Sequence, residues 1–550
     1  MLLLSLLLLL AAAPAMALQE RVYVATDRPV YVAGDTMWMS AWCVDAQTGR
    51  LSAFSKTAYV EIHSAEGMVR TAKIALEGGR GAGQVELPGT MPTGNYRVLA
   101  YTALGAAEAG FDPLTGARTI SVFNTLSTQR VAGGVEVVDR APASFVPAAA
   151  GTLALEVSPG AEQRRLRISN TGPETVQFSL SVRHDDGIPA PAGTDIAAFT
   201  RSLRALPPTS DVAGRDAPEY EGEILRARVA GIDAGGLRAV TDKIAVLSAP
   251  GNGDNIYTTA IAPDGTATFY TANLFGDQEI FLEINGLSRD DVCHLELTSP
   301  FVRFPAGDIP PLALCADYAR ALDQRGVAMQ VGKAFDADTL YADLPARQHP
   351  IFDNAECLSY LLDDYTRFPV MEELFIEFIP EIRVRRVNGE PELQVRRRDL
   401  RGYISFSTST SLVMLDGVPV SDHAKILAYD PLLVQRIDIY PDATFLGILR
   451  FEGIVNFVTY QGTLPGMQFE DNVRIVDFQG CAWPTAYTCD GVGRDYPDLR
   501  QTLYWHPLLT LAPGETMDVE CKMPLYEGRF EAVAEGLDTS GQPALTCTSF

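Results

Sequence analysis

Acid–base, nucleophilic and metal chemistry depends on a few side-chain types at fixed spacings, and this chain carries none of the familiar sets. Its six histidines include no two close in sequence, so the paired ligands of an H-E-x-x-H helix cannot form. G-x-S-x-G, the phosphate loop G-x-x-x-x-G-K-[ST] and C-x-x-C are also absent. Asp290-Asp291 and Asp363-Asp364 are adjacent carboxylates. Neighbours on regular structure point apart, so both pairs read as solvated surface. His184-Asp185-Asp186 fails as a metal site for the same reason and reads as a solvated loop. Trp505 reads as a core or rim residue, and His506 beside it has no cysteine or acid at ligand spacing. The expectation is a non-enzyme with no catalytic residues, no cofactor and no metal.

One charged cluster stands out. Arg383, Arg385, Arg386, Arg396, Arg397, Arg398 and Arg401 lie within 381–401, against a net charge of −25. Asn388-Gly389 is a hairpin signal that lays the two arms side by side, with Arg383 and Arg385 on one strand face. Such a face suits docking to an acidic partner or a phosphate-bearing headgroup. The plainer alternative is an exposed hairpin neutralised by the chain's own carboxylates, which is the default for a charge run.

Eight cysteines suit an exported, oxidising setting. Cys481 with Cys489, and Cys521 with Cys547, are candidate disulfides. Cys43, Cys293, Cys315 and Cys357 have no partner assigned, because spacing does not determine connectivity.

Residues 1–17 read as a signal peptide: an apolar run from Leu2 to Ala13, then Ala15-Met16-Ala17 as a cleavage pattern. No other stretch approaches the length needed to span a bilayer, so the mature chain is expected to lack a transmembrane segment. The acidic balance argues against a nucleic-acid partner. A chain of 550 residues should divide into several domains.

The elements that must position these residues are mostly strands. Short strands with turns at Gly34-Asp35, Pro88-Gly89 and Pro92-Thr93-Gly94 make 18–125 an antiparallel β-sandwich. Within it, "YVATDRPVYVAGDTMWMSAW", with Thr26-Asp27-Arg28, Tyr31 and Gly34-Asp35, resembles the opening of a macroglobulin-type domain. Asp27 and Arg28 read as ordering a turn. Residues 126–212 read as a second sandwich, with strands around Leu153–Val157, Leu166–Ser169 and Val176–Val182. Residues 213–300, with a hairpin at Asp264-Gly265, resemble a macroglobulin- or carboxypeptidase-regulatory-like sandwich. Residues 301–380 read as a helical linker, with helices over Leu312–Asp323, Cys357–Tyr365 and Met371–Phe378. Residues 464–550 resemble a C-terminal macroglobulin-like sandwich.

Between them, 381–463 reads as a small α/β unit of strand, helix, strand and strand. Leu412–Leu415 runs into the turn Asp416-Gly417. Asp430-Pro431 starts a short helix, Arg436–Tyr440 alternates as a strand, and Gly447 and Gly453 lead into a last strand over Ile454–Thr459. These features resemble the plug domain of TonB-dependent outer-membrane receptors. The 88 residues after Gly462 lack the repeated strands of about 9–11 residues that a barrel needs, so the expectation is a plug without its barrel.

The resemblances together imply a mainly β, multi-domain chain: immunoglobulin-like or macroglobulin-like sandwiches, a small α/β plug-like domain and a short helical linker. They imply a periplasmic scaffold or binding component of a Gram-negative envelope, associated with the outer membrane and docking on an outer-membrane β-barrel protein or envelope complex. The alternative is ligand capture for a TonB-dependent uptake system, which predicts a concave, aromatic-lined pocket. Protease inhibition is a third class. The Cys-x-x-Gln-type thioester motif of protease-trapping macroglobulins is missing, which argues against it.

Overall fold

The computed structural model describes residues 18–158, 160, 163–207, 218–251, 255–272, 274–287, 292–335, 341–343, 357–398, 404–406, 411–446, 449–487 and 497–550. The signal-peptide expectation for 1–17, the Asp290-Asp291 pair, Cys489, Arg401 and Gly447 lie outside them. The chain is mainly β and divides into two compact units. One comprises residues up to Gly222, Phe301–Ala346 and Cys481–Phe550. The other comprises Glu223–Pro300 and Arg347–Gly480.

In the first unit the expected N-terminal sandwich is present. Glu20–Thr26, Thr36–Asp45 and Arg80–Glu86 form one sheet. Val30–Val32, Arg118–Phe123, Gly94–Tyr101, Thr57–Ser64 and Gly67–Ala75 form the other. Val22, Tyr31, Met37, Val60, Val98 and Ile120 fill the space between; each such side chain contributes roughly 1.5–3 kcal/mol by leaving water. Asp27 does more than order a turn. Its buried carboxylate accepts from Tyr31 Oη (2.7 Å), the Trp38 amide (3.2 Å) and Thr502 Oγ1 (2.6 Å), so it ties the first strands to the C-terminal segment.

The division into separate sandwiches at 126–212 and 464–550 is corrected here. Gln163–Asn170 pairs with Thr516–Lys522, and Val176–Asp185 lies between Thr502–Leu511 and Arg529–Asp538. The two segments build one sandwich around Leu166, Phe178, Leu180, Leu503 and Phe530. Each has an apolar face too small to close alone, and pairing buries both. Residues 464–480 belong elsewhere: Arg474–Gln479 pairs with Asp277–Ile284 in the second unit.

The linker 301–380 is only partly helical. Leu312–Cys315 is a strand parallel to Val135–Val138, and the helix follows at Ala319–Ala334. Leu358–Leu361 is also a strand, pairing with Val434–Leu446 (Leu358↔Ile439, Tyr360↔Ile437). A short apolar run of this kind carries no period that separates helix from strand, and an open sheet edge decides it. Met371–Glu377 is helical, as its pattern predicts.

The second unit stacks three sheets. Thr266–Tyr270, Ile224–Ala230 and His294–Leu297 face Ile256–Ala260, Ile244–Ser248, Asp277–Ile284 and Arg474–Gln479 across a core of Leu225, Leu247, Phe269 and Leu282. The other face of that four-stranded sheet contributes Val246 and Ile256 to a second core, with Leu412, Met414, Leu446 and Ile454. These belong to a five-stranded sheet in the order Leu358–Leu361, Val434–Leu446, Leu449–Thr459, Leu412–Leu415, Val418–Pro419. The helix expected from Asp430-Pro431 is only a single 3-10 turn at Pro431–Leu433; the α-helix of this unit lies earlier, at His423–Ala428, capped by Asp422, and Leu412–Leu415 runs parallel to Leu449–Thr459. The arginine-bearing strands Ile382–Val387 and Glu390–Arg398 form a hairpin extended by Ile404–Phe406.

Candidate functional site

The hairpin is positioned by its apolar side. Ile382 pairs with Val395 and Val384 with Leu393, and Ile382, Leu393 and Val395 sit in the core of the second unit. Alternation sends Arg383, Arg385, Gln394 and Arg396 to the other face. Arg396, Arg397 and Arg398 pair along the backbone with Phe406, Ser405 and Ile404. Arg383 donates from Nε (3.0 Å) and Nη2 (2.8 Å) to Gln394 Oε1, and its guanidinium lies 4.1 Å over the Phe406 ring. Arg385 lies across from Glu392. Among the described residues, the ion pairs of the second unit use Arg367, Lys425, Arg436 and Arg450 and none of the hairpin arginines. Glu392, across from Arg385, is an acid on this face, which Arg383, Arg385 and Arg396 leave net positive.

Three contacts lock the hairpin down. Ser411 Oγ accepts from the Val395 amide (3.2 Å) and donates to Glu452 O (3.0 Å). The Leu393 amide donates to His423 Nδ1 (2.9 Å). Gly453 has φ 91°, and a Cβ there would stand 2.6 Å from Val395 Cβ, so this approach requires glycine.

The remaining residues of the plug-like motif are structural. Asp416 (φ 48°) and Gly417 (φ 82°) form the two-residue turn between Leu415 and Val418, where both central residues need positive φ. The buried Asp416 carboxylate accepts from the Thr459 amide (2.7 Å), Thr459 Oγ1 (2.7 Å) and the Leu464 amide (2.8 Å). Gly417 donates its amide to Asn456 Oδ1 (3.0 Å). Asp430 Oδ1 caps the short turn at Pro431–Leu433 through the Leu432 amide (2.9 Å).

The four-stranded and five-stranded sheets do not close completely against each other. They leave a cavity of about 160 Å³, walled by Val246, Ile256, Leu412, Val420, Leu449 and Phe451 and touched by Glu283, Ser421 and His423. Register puts Glu283 opposite Val246 and Val246 opposite Thr258, in one row on the face turned away from Leu247 and Leu282. Burial pushes the Glu283 carboxyl up to about 7; the Ser421 hydrogen bond opposes this and the Glu470 charge adds to it. Burial also holds His423 down to about 4, against the pull of Asp422. The ring is thus neutral, and with Nδ1 accepting, the proton sits on Nε2. Glu283 and His423 were not legible as site residues. One is an alternating polar residue in "QEIFLEI" and the other follows an N-cap.

The remaining expectations fall out plainly. Cys521 and Cys547 carry no disulfide. They lie on strands of opposite sheets, Thr516–Lys522 and Pro543–Ser549. Cys547 Sγ donates to Glu531 Oε1 at 2.9 Å. Cys481 is likewise not in a disulfide. His184-Asp185-Asp186 is not a solvated loop: Asp186 forms a buried ion pair with Arg325 (2.5 Å), and His184 packs 4.5 Å from the Tyr526 ring. Trp505 is buried. Among the described residues no group of three His, Cys, Asp or Glu could hold a metal, and no helix is long and apolar enough to cross a membrane.

No family model and no curated protein matches the chain. Among solved structures it is similar to Escherichia coli alpha-2-macroglobulin activated by porcine elastase, at 10% identity over 96% of this chain and 43% of that one, TM-score 0.24. Salmonella alpha-2-macroglobulin reacted with methylamine is similar at 10% identity over 97% and 40%, TM-score 0.24. The Escherichia coli adhesin FdeC is similar at 14% identity over 50% and 62%, TM-score 0.14. The chain spans less than half the length of these macroglobulins. TM-scores this low carry no functional argument, which rests on the chain's own geometry.

Proposed function

We propose that this chain is a non-catalytic exported binding component of a Gram-negative cell envelope. It acts at the periplasmic side of the outer membrane, and the arginine hairpin of its plug-like unit docks on an acidic face of an outer-membrane β-barrel protein. The observation that carries this reading is the net-positive arginine face: Arg383, Arg385 and Arg396, with Glu392 the acid opposite Arg385, lie on a hairpin whose other side is anchored by Leu393 and Val395. Charge concentrated on a rigid face, in a chain of net charge −25, steers association with an acidic partner and repels wrong ones. The strand–helix–strand–strand order from Leu412 to Thr459 supports the plug-like reading, and the lack of any familiar catalytic set supports a binding role. Crosslinking pull-down from intact envelopes tests it, comparing wild type with an Arg385→Glu/Arg396→Glu variant. Arg383 is left in place because its hydrogen bonds to Gln394 help hold the hairpin. A barrel protein recovered with wild type and lost on charge reversal is expected. Equal recovery with both versions removes the hairpin as the dock, and no protein partner with either removes the scaffold reading.

A further inference from the structure

The cavity between the two sheets of the second unit contains none of the hairpin arginines, although Ser411 and His423, which line it, also hold the hairpin. Aliphatic side chains and Phe451 make most of the cavity wall, Thr258, Asn285, Ser411, Ser421 and His423 add neutral polar groups, and Glu283 is the one acidic residue among the described residues lining it. The groups that act on Glu283 are the Ser421 hydroxyl, which donates to it, and the Glu470 carboxylate. Glu470 is itself held by Lys425 at 2.8 Å. His423, from the helix that follows Ser421, is kept neutral by burial, with its Nδ1 accepting from the Leu393 amide. Among the described residues no lysine or arginine forms an ion pair with Glu283. An ionised carboxylate on an apolar wall without a counter-ion is costly to maintain, and a cation brought by a ligand would supply one.

We infer that this cavity is a binding site for a primary amine or similarly small organic cation on a short aliphatic stem. Glu283 would be the counter-ion, with Val246, Ile256, Leu449 and Phe451 around the stem. The volume limits the stem: a 150 Å³ apolar cavity holds about one benzene, so four to six heavy atoms fit the 160 Å³ found here. The ammonium stays charged across neutral pH, as lysine does, whereas the Glu283 carboxyl is half ionised near 7. Binding therefore strengthens by about tenfold between pH 6 and pH 8, as the ionised fraction rises from roughly a tenth to nine-tenths. His423 contributes no competing charge in that window.

The test is titration calorimetry on the full chain with n-butylammonium chloride and, as the neutral probe of equal size, n-butanol. Saturable n-butylammonium binding at pH 8 is expected, weaker by about tenfold at pH 6 and by tenfold or more in E283Q. Butanol binding should change less than twofold in each case. If E283Q does not fold, judged by its thermal melt, the pH dependence in wild type decides alone. Equal affinity for the two probes overturns the proposal, as does n-butylammonium binding that is flat with pH. So does the absence of saturable binding by either probe. None of these outcomes touches the docking reading, whose test involves neither Glu283 nor a small ligand.

Discussion

Asp416→Ala isolates the residue at the turn between Leu412–Leu415 and Val418–Pro419. Asp416 is 1% exposed, and its carboxylate accepts from the Thr459 and Leu464 amides and from the Thr459 hydroxyl. Alanine leaves two backbone N–H groups buried without acceptors, at roughly 1–3 kcal/mol each. The hydroxyl can turn elsewhere and adds little. Holding alanine rather than aspartate at φ 48° adds about 1 kcal/mol. Partial relaxation and water entry bring the expected loss to about 3–5 kcal/mol. Asp416→Asn tolerates the same backbone and keeps one acceptor oxygen, so about 1–3 kcal/mol is expected. Urea denaturation gives the totals, and hydrogen exchange gives the location: the Thr459 and Leu464 amides should lose protection first. A loss under about 1 kcal/mol for the alanine variant, with both amides still protected, would refute the claim that this carboxylate organises the turn.

Three further expectations follow from the same geometry. Gly453→Ala should destabilise the second unit by more than about 2 kcal/mol, since it combines positive φ with overpacking. Adding Val395→Ala should recover part of that, and no recovery in the double variant would show that the contact with Val395 is not the cause. The raised Glu283 carboxyl means the folded chain holds a proton that the unfolded chain releases near the ordinary glutamate value of 4.5. Stability contributed by this group is therefore full below about 4.5 and lost as pH rises toward 7, up to roughly 3 kcal/mol. E283Q should flatten that slope in urea titrations across the window, and an identical slope in both proteins contradicts the assignment. Burial and the bond to Glu531 push the Cys547 thiol up to about 12, so on the order of one thiol in ten thousand is ionised at pH 8. In the native chain Cys547 should resist iodoacetamide at that pH and react once unfolded; a Cys521–Cys547 disulfide found by mass spectrometry would overturn the free-thiol assignment.

Local order could be read from residue types and their spacing alone. Short runs rich in apolar and aromatic residues over Arg21–Val24 and Met37–Val44, bounded by turn signals, set strands that are buried on both faces. Asp416-Gly417 and Asn388-Gly389 set turns, because only such residues accept positive φ cheaply. Asp430-Pro431, read as a helix start, capped only a 3-10 turn, and the α-helix formed instead at His423–Ala428. Which segments complete one another emerged only from long-range packing. Gln163–Asn170 pairs with Thr516–Lys522, and Asp277–Ile284 with Arg474–Gln479, across hundreds of residues. Pairing partners are chosen by which open edge and which apolar face remain, and no single strand encodes that. The same holds for the cavity. Glu283 and His423 become neighbours only when two sheets meet and fail to close, and the low-dielectric gap left there gives an ordinary glutamate its altered chemistry.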